Sequence, residues 1–216
     1  MHVTVGEERA MAERAFDRFA VRALEALGTR LWGFPPRLMR PIVSQLGALR
    51  ALGWFVQNMP RYERTRTTLG PLRTHLACAL ISLHNGCQYC AFGHLHAVEL
   101  VYLQQRGKLF PLDAAHDVPR WAGLPAAELR RRMVELLQQA DLHGEVLWVD
   151  RTLALVGGTQ RAVDAPESRI AHLVSMFRVL NDVGIAGAVE PDEAHDPLNK
   201  DTGLKARLRA LRGSPA

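Results

Sequence analysis

The sequence predicts an all-α fold. Apolar residues recur at helical spacing through most of its 216 residues, no stretch alternates with period two, and glycine and proline clusters break the pattern at helix-length intervals. A first helix is expected over about residues 7–28, with Met11, Ala15, Phe19, Leu24 and Leu27 along its apolar stripe. Gly33-Phe34-Pro35-Pro36 ends it. A second helix is expected from about Leu38 to Asn58, with Pro41 in its first turn and Ile42, Leu46, Leu49, Leu52, Trp54 and Phe55 in the core. Met59-Pro60 closes it, and the arginine-rich stretch 61–68 reads as a connector. Gly70-Pro71 opens a third helix carrying Leu72, Leu76, Leu80 and Leu83, and Asn85-Gly86 closes it. A fourth starts at Cys87 and reaches about Gln105. Residues 107–125 read as a loop, followed by helices over about 126–140, 143–156 and 167–183. The stretch 184–202 reads as irregular, and 203–212 as a short basic helix. The whole chain, 1–216, is read as one helical domain with residues 1–35 as an N-terminal extension and 71–98 as its central motif.

Composition narrows the classes of function. Apolar residues make up 48% and charged residues 23%, which excludes a disordered or collagen-like chain. The formal charge of +5 comes from 27 basic and 22 acidic residues, and all the basic ones except Lys108, Lys200 and Lys205 are arginine. The densest basic runs, Arg130-Arg131-Arg132 and the segment from Lys205 to Arg212, match no nucleic-acid module and read as solvated helix faces. The longest apolar stretch, Leu76 to Leu83, is too short to span a bilayer, so no membrane partner is expected. The N-terminus has early acidic residues and no apolar core of a signal peptide, so a cytoplasmic location is expected. Three cysteines are too few for a disulfide scaffold, and in a reducing compartment a close pair points to redox or metal chemistry.

That pair lies in Asn85-Gly-Cys-Gln-Tyr-Cys-Ala-Phe-Gly-His94. On a helix starting at Cys87, the residues Cys87, Cys90 and His94 share one face. A thiol at a helix N-terminus is favoured as thiolate, a second thiol can resolve what the first forms, and a histidine one turn away can exchange the proton. Haem attachment is excluded, because Ala91 stands where the histidine would have to follow the second cysteine. Zinc held by Cys87, Cys90 and His94, with His75 as fourth ligand, is the alternative. No organic cofactor is expected: Gly184-Ile-Ala-Gly187 lacks the preceding strand of a nucleotide loop. Cys78, three residues after His75, reads as a buried core residue, and Tyr89 as packing or a possible proton donor. His116, His143, His172 and His195 read as solvated or packed.

The run Leu72-Arg73-Thr74-His75, an apolar helix, and Asn85-Gly86-Cys87-x-x-Cys90-x-x-x-His94 resemble the AhpD-like alkylhydroperoxidases of the carboxymuconolactone decarboxylase superfamily. The resemblance covers 71–98 most strongly and extends to 38–84 and to Ser168–Gly184, where Val-Leu-Asn-Asp fits the closing helix. It implies an AhpD-like helical bundle, assembled as a trimer or hexamer, that reduces hydroperoxides. It implies further that Cys90 attacks the peroxide, that Cys87 resolves the sulfenic acid, that a dithiol donor reopens the disulfide, and that His94 belongs to a proton relay. The family's relay begins with a glutamate twelve positions before the first cysteine, where this chain has His75. A neutral imidazole there can still accept a proton, while a non-catalytic oligomer that kept the fold is the rival that His75 favours.

Overall fold

The computed structural model describes residues 5–213, with side chains at Met11 and from Glu13 onward. The first four residues of the expected extension, and the reading of them as no signal peptide, lie outside this range. Ten α-helices and no β-strand occur among the described residues. No described helix is long and apolar enough to cross a membrane.

α1 (Val5–Trp32) and α2 (Met39–Leu46) are separated at Gly33, whose φ of 90° stops the first helix. Met11 and Phe19 of the expected apolar stripe are exposed, whereas Leu24 is buried as expected, with Ala20 beside it. The expected helix 38–58 is two helices. Gly47, at φ 79°, breaks it, and α3 (Ala48–Leu69) continues at a new angle. That break turns Leu49, another expected core residue, out to solvent.

α3 also runs straight through Pro60, so 61–68 is helix rather than connector. Burial of Met59, Tyr62 and Thr65 against the core outweighs the one hydrogen bond proline removes. Thr65, Thr67 and Thr68 each return a hydroxyl bond to the carbonyl four residues back.

α4 (Pro71–His84) and α5 (Gln88–Arg106) form the buried centre. Two apolar clusters flank them. Ala77, Cys78, Ile81, Cys87, Tyr89 and Cys90 face α1–α3 and α9. Leu76, Leu80, Leu83, Ala91, Leu95 and Val98 face the opposite layer. That layer holds α6 (Ala114–Trp121), α7 (Ala126–Gln139) and α8 (Val146–Val156). α6 lies within the expected loop 107–125. Asp113 caps it by accepting from Ala115 N, and Val118 and Trp121 bury its apolar face.

α9 (Ala165–Ala186), capped by Asp164, returns along α4 and α5. The expected irregular stretch 184–202 is shorter, because α9 continues to Ala186 and the last helix starts at Thr202; the segment 187–201 is irregular except for a 3-10 turn at Pro197–Lys200. It is tied to α5 by His195 N donating to Gly93 O at 3.0 Å. α10 (Thr202–Arg212) then packs Leu204 and Leu208 on Ala97, Leu100 and Leu103.

Candidate functional site: a dithiol between two cavities

The turn between α4 and α5 places the cysteines. Asn85 caps α4 through its N–H to Ile81 O, Gly86 takes φ 82°, and Cys87 returns to extended backbone as the N-cap of α5. Cys90 follows within the first turn, so both sulfurs sit where backbone N–H groups lack helical partners. Both cysteines are free thiols and buried.

The two thiols differ in character. The Cys90 thiol hydrogen-bonds to the Cys87 sulfur and lowers the Cys87 pKa; the N–H groups of Cys90 and Tyr89 and the amide of Asn181 work with it against burial. Burial pushes Cys90 well above the usual thiol range, and its neighbour Cys87 pushes it further. Cys87 is the thiolate-prone sulfur and Cys90 its proton donor. Cys78 is fully buried and held as a thiol by burial.

Asn181 on α9 secures this arrangement. It accepts from Asn85 Nδ2 at 2.9 Å and donates to Ser82 Oγ at 3.2 Å. It lies in the Val-Leu-Asn-Asp run singled out in the sequence, but nothing local marked it as a cysteine partner. One turn on, Gly184 stands against Cys87: a Cβ there would lie 2.9 Å from the sulfur.

His75 and His94 meet in the core. Their Nδ1 atoms are 2.9 Å apart, and His75 Nε2 is 2.9 Å from Asp196 Oδ2. Leu198 N donates to Asp196 Oδ1, and Arg66 Nη1 stands 3.8 Å from Oδ2. Burial pushes the Asp196 carboxyl up, but His75, Leu198 and Arg66 bring it below the usual range, so it is ionised. Burial pushes His94 well below the usual imidazole range, helped by His75 and His195, so His94 is neutral near pH 7. A carboxylate therefore stands behind the two histidines. It comes from the segment 187–201, where the sequence carried no local signal for it.

A second group comes from the same segment. Tyr89 Oη donates to Asp192 Oδ2 at 3.0 Å, and His195 Nε2 is 3.4 Å from Asp192 Oδ1. The His195 ring stacks on Trp32 and Phe34 and meets His94 edge-on, with 5.3 Å between centroids. Gly93 makes room for it: a Cβ there would lie 2.5 Å from Nδ1 and Cε1. His195 is packed, as expected, but in the wall of the site. The other histidines are elsewhere: His96 pairs with Glu99 and His172 with Asn58.

Each cysteine faces its own space. Cys90, His94, Tyr62, Tyr89, His195 and Trp32, with Met39, Met59, Met176 and other apolar side chains, line an inner cavity of about 30 Å³. That is room for one or two water-sized molecules. Cys87, Gln88, Gly184, Glu190 and Pro191 line an outer groove of about 310 Å³.

Of the expected site residues, Cys87 and Cys90 lie together, His94 shares a cavity with Cys90, and His75 reaches the thiols only through His94. The four-ligand zinc arrangement is not assembled. Both ring nitrogens of His75 have other partners, and no group of three or more His, Cys, Asp or Glu among the described residues could hold a metal ion. No family model, characterised protein or solved structure matches this chain in comparison.

Proposed function

We propose that the chain is a thiol-dependent peroxidase, with Cys87 and Cys90 as its redox couple and an AhpD-like helical bundle as its fold. One observation carries this reading. The chain of groups from Asp196 through His75 to His94 ends in the small cavity that Cys90 lines. A buried thiol of raised pKa needs a base before it can attack, and a neutral His94 backed by His75 and Asp196 is one.

The reaction balances as follows. His94 takes the Cys90 proton, and the sulfur attacks the outer oxygen of a hydroperoxide. The O–O bond breaks, the leaving oxygen takes a proton, and the products are Cys90 sulfenic acid and an alcohol or water. The Cys87 thiolate then attacks the sulfenic sulfur, the departing hydroxide takes the proton held on His94 and leaves as water, and the disulfide closes. An external dithiol, reaching Cys87 through the outer groove, reduces it by exchange. The inner cavity takes hydrogen peroxide as it stands; a bulkier alkyl hydroperoxide requires its methionines to move. A cytoplasmic trimer or hexamer belongs to the same reading. Exposed Phe16, Phe19, Leu49 and Val56 on α1 and α3 suit a subunit contact.

The test is thiol counting after one equivalent of hydrogen peroxide. Two thiols should be lost as an internal disulfide. Cys87→Ser should stop at a Cys90 sulfenic acid that dimedone labels. A second reading rests on the lowered pKa of Cys87 and its open groove: Cys87 would attack a disulfide of another molecule and Cys90 would release it. Thiols that survive peroxide, together with a mixed disulfide trapped on Cys87 in Cys90→Ser, would establish that reading instead.

A further inference from the structure

Peroxide reduction leaves one proton transfer unassigned. When Cys90 attacks, the departing oxygen carries negative charge into an apolar cavity and must be protonated there. His94 is the base of the step, and a second donor lets the leaving oxygen be protonated while His94 still holds the thiol proton.

The cavity holds more polar hydrogen-bonding capacity than it satisfies. Trp32 Nε1, Tyr62 Oη and His195 Nε2 are buried without hydrogen-bond partners, and all three side chains line this one cavity. A buried unsatisfied polar atom costs about 1–3 kcal/mol, so three around one space mark a place built for a polar guest. Tyr62 and Tyr89 are both held in the protonated phenol form, chiefly by burial.

Among these groups His195 has the means to carry a full proton. Its Nε2 stands 3.4 Å from one oxygen of the Asp192 carboxylate, whose other oxygen accepts from the Tyr89 phenol. Burial pushes Asp192 up, but His195 and the N–H groups of Arg37 and Glu193 hold it below the usual range, so it is a ready counter-ion. The ring is fixed by stacking on Trp32, by the space above Gly93 and by the backbone bond to Gly93 O.

We propose that His195 is a further catalytic residue: its ring N–H protonates the oxygen that leaves when Cys90 attacks the hydroperoxide, with Asp192 as the counter-ion that holds the imidazolium. Two imidazoles 5.3 Å apart then do opposite work. His94 takes the thiol proton, His195 supplies one to the leaving oxygen, and the two protons balance over the step. The proposal rests on the peroxidase reading.

The test separates a proton donor from a packing residue by the leaving group. Hydrogen peroxide expels hydroxide, which must be protonated; peracetic acid, also small, expels acetate, which need not be. With His195→Gln, oxidation of Cys90 by hydrogen peroxide should slow by about 10²-fold or more, and oxidation by peracetic acid should change only a few-fold. Asp192→Asn should show the same selective loss, smaller in size. Equal losses with both oxidants would reduce His195 to a structural role, and no loss with either would remove it from the reaction. A wild-type protein whose Cys90 is inert to both oxidants would overturn the peroxidase reading itself. Unfolding curves of each variant show whether the fold is retained.

Discussion

His75 and His94 face one another Nδ1 to Nδ1, and Asp196 decides which of them carries the shared proton. An ionised carboxylate only accepts, so His75 Nε2 holds a hydrogen. In the neutral ring His75 Nδ1 is then bare and accepts from His94 Nδ1–H, which leaves His94 Nε2 as the basic atom. Asp196 thus sets the tautomer of a ring it does not touch. Asp196→Asn should reverse it. Leu198 N–H keeps the amide oxygen on its own side, so the amide NH2 faces His75 Nε2. Oxidation of Cys90 by peroxide should slow by about 10²-fold or more, measured by stopped-flow with the fold retained. An unchanged rate would falsify the relay.

A glutamate in place of His75 should not help. In His75→Glu a second carboxylate would be buried beside Asp196, and two such charges cannot both ionise at contact. We expect a stability loss of about 3 kcal/mol and no gain in turnover. His75→Glu combined with Asp196→Asn should recover most of that stability, as read by urea unfolding. A more active single variant would show that Asp196 does not act through His75.

The lowered pKa of Cys87 depends first on the Cys90 thiol. Alkylation of Cys87 by iodoacetamide should follow a pH midpoint below the ordinary thiol value of 9.0. That midpoint should rise in Cys90→Ala, and an unmoved midpoint would assign the shift to the helix terminus alone. Gly184→Ala places a methyl group 2.9 Å from the sulfur. It should cost about 1–3 kcal/mol and slow alkylation at fixed pH.

His94 links stability to pH near neutrality. Its folded-state pKa lies well below the usual imidazole value of 6.5, so the unfolded chain takes the proton first as pH falls. The stabilisation is complete above the unfolded-state value. It declines below it, by up to about 1.4 kcal/mol per pH unit, until the folded-state pKa is passed. His94→Asn should flatten that part of the profile between about pH 7.5 and 5.5 in urea unfolding. An identical slope would mean that His94 is not held neutral. The depressed carboxylate Asp196 adds a separate loss at lower pH, below the usual carboxylate value.

Legibility followed the range of the forces involved. The turn at Asn85-Gly86, the N-cap position of Cys87 and the helical spacing to His94 are settled within two turns of chain, and they stand as read. The reading of Pro60 as a terminator went astray because burial of Tyr62 and Thr65 outweighs a local break. Periodicity put Leu49 in the core and Phe19 on an apolar stripe, but which faces of α3 and α1 are covered depends on the break at Gly47 and on how α1, α2 and α3 pack on one another. The helix α6 was hidden in a stretch whose Gly, Pro and Asp content resembles a loop.

From its sequence alone this protein is a helical chain with two thiols and a histidine grouped at the start of one helix. Local hydrogen bonding and side-chain periodicity are sufficient for that. Tertiary structure decided what surrounds them. His75 and Asp196 are separated by 121 residues, and His195 reaches Gly93 from the same distant segment. The physical reason lies in the core. The buried His75 ring has both nitrogens satisfied, and only the packing of the whole chain brings an irregular segment of carboxylates and histidine across the helices that carry the thiols.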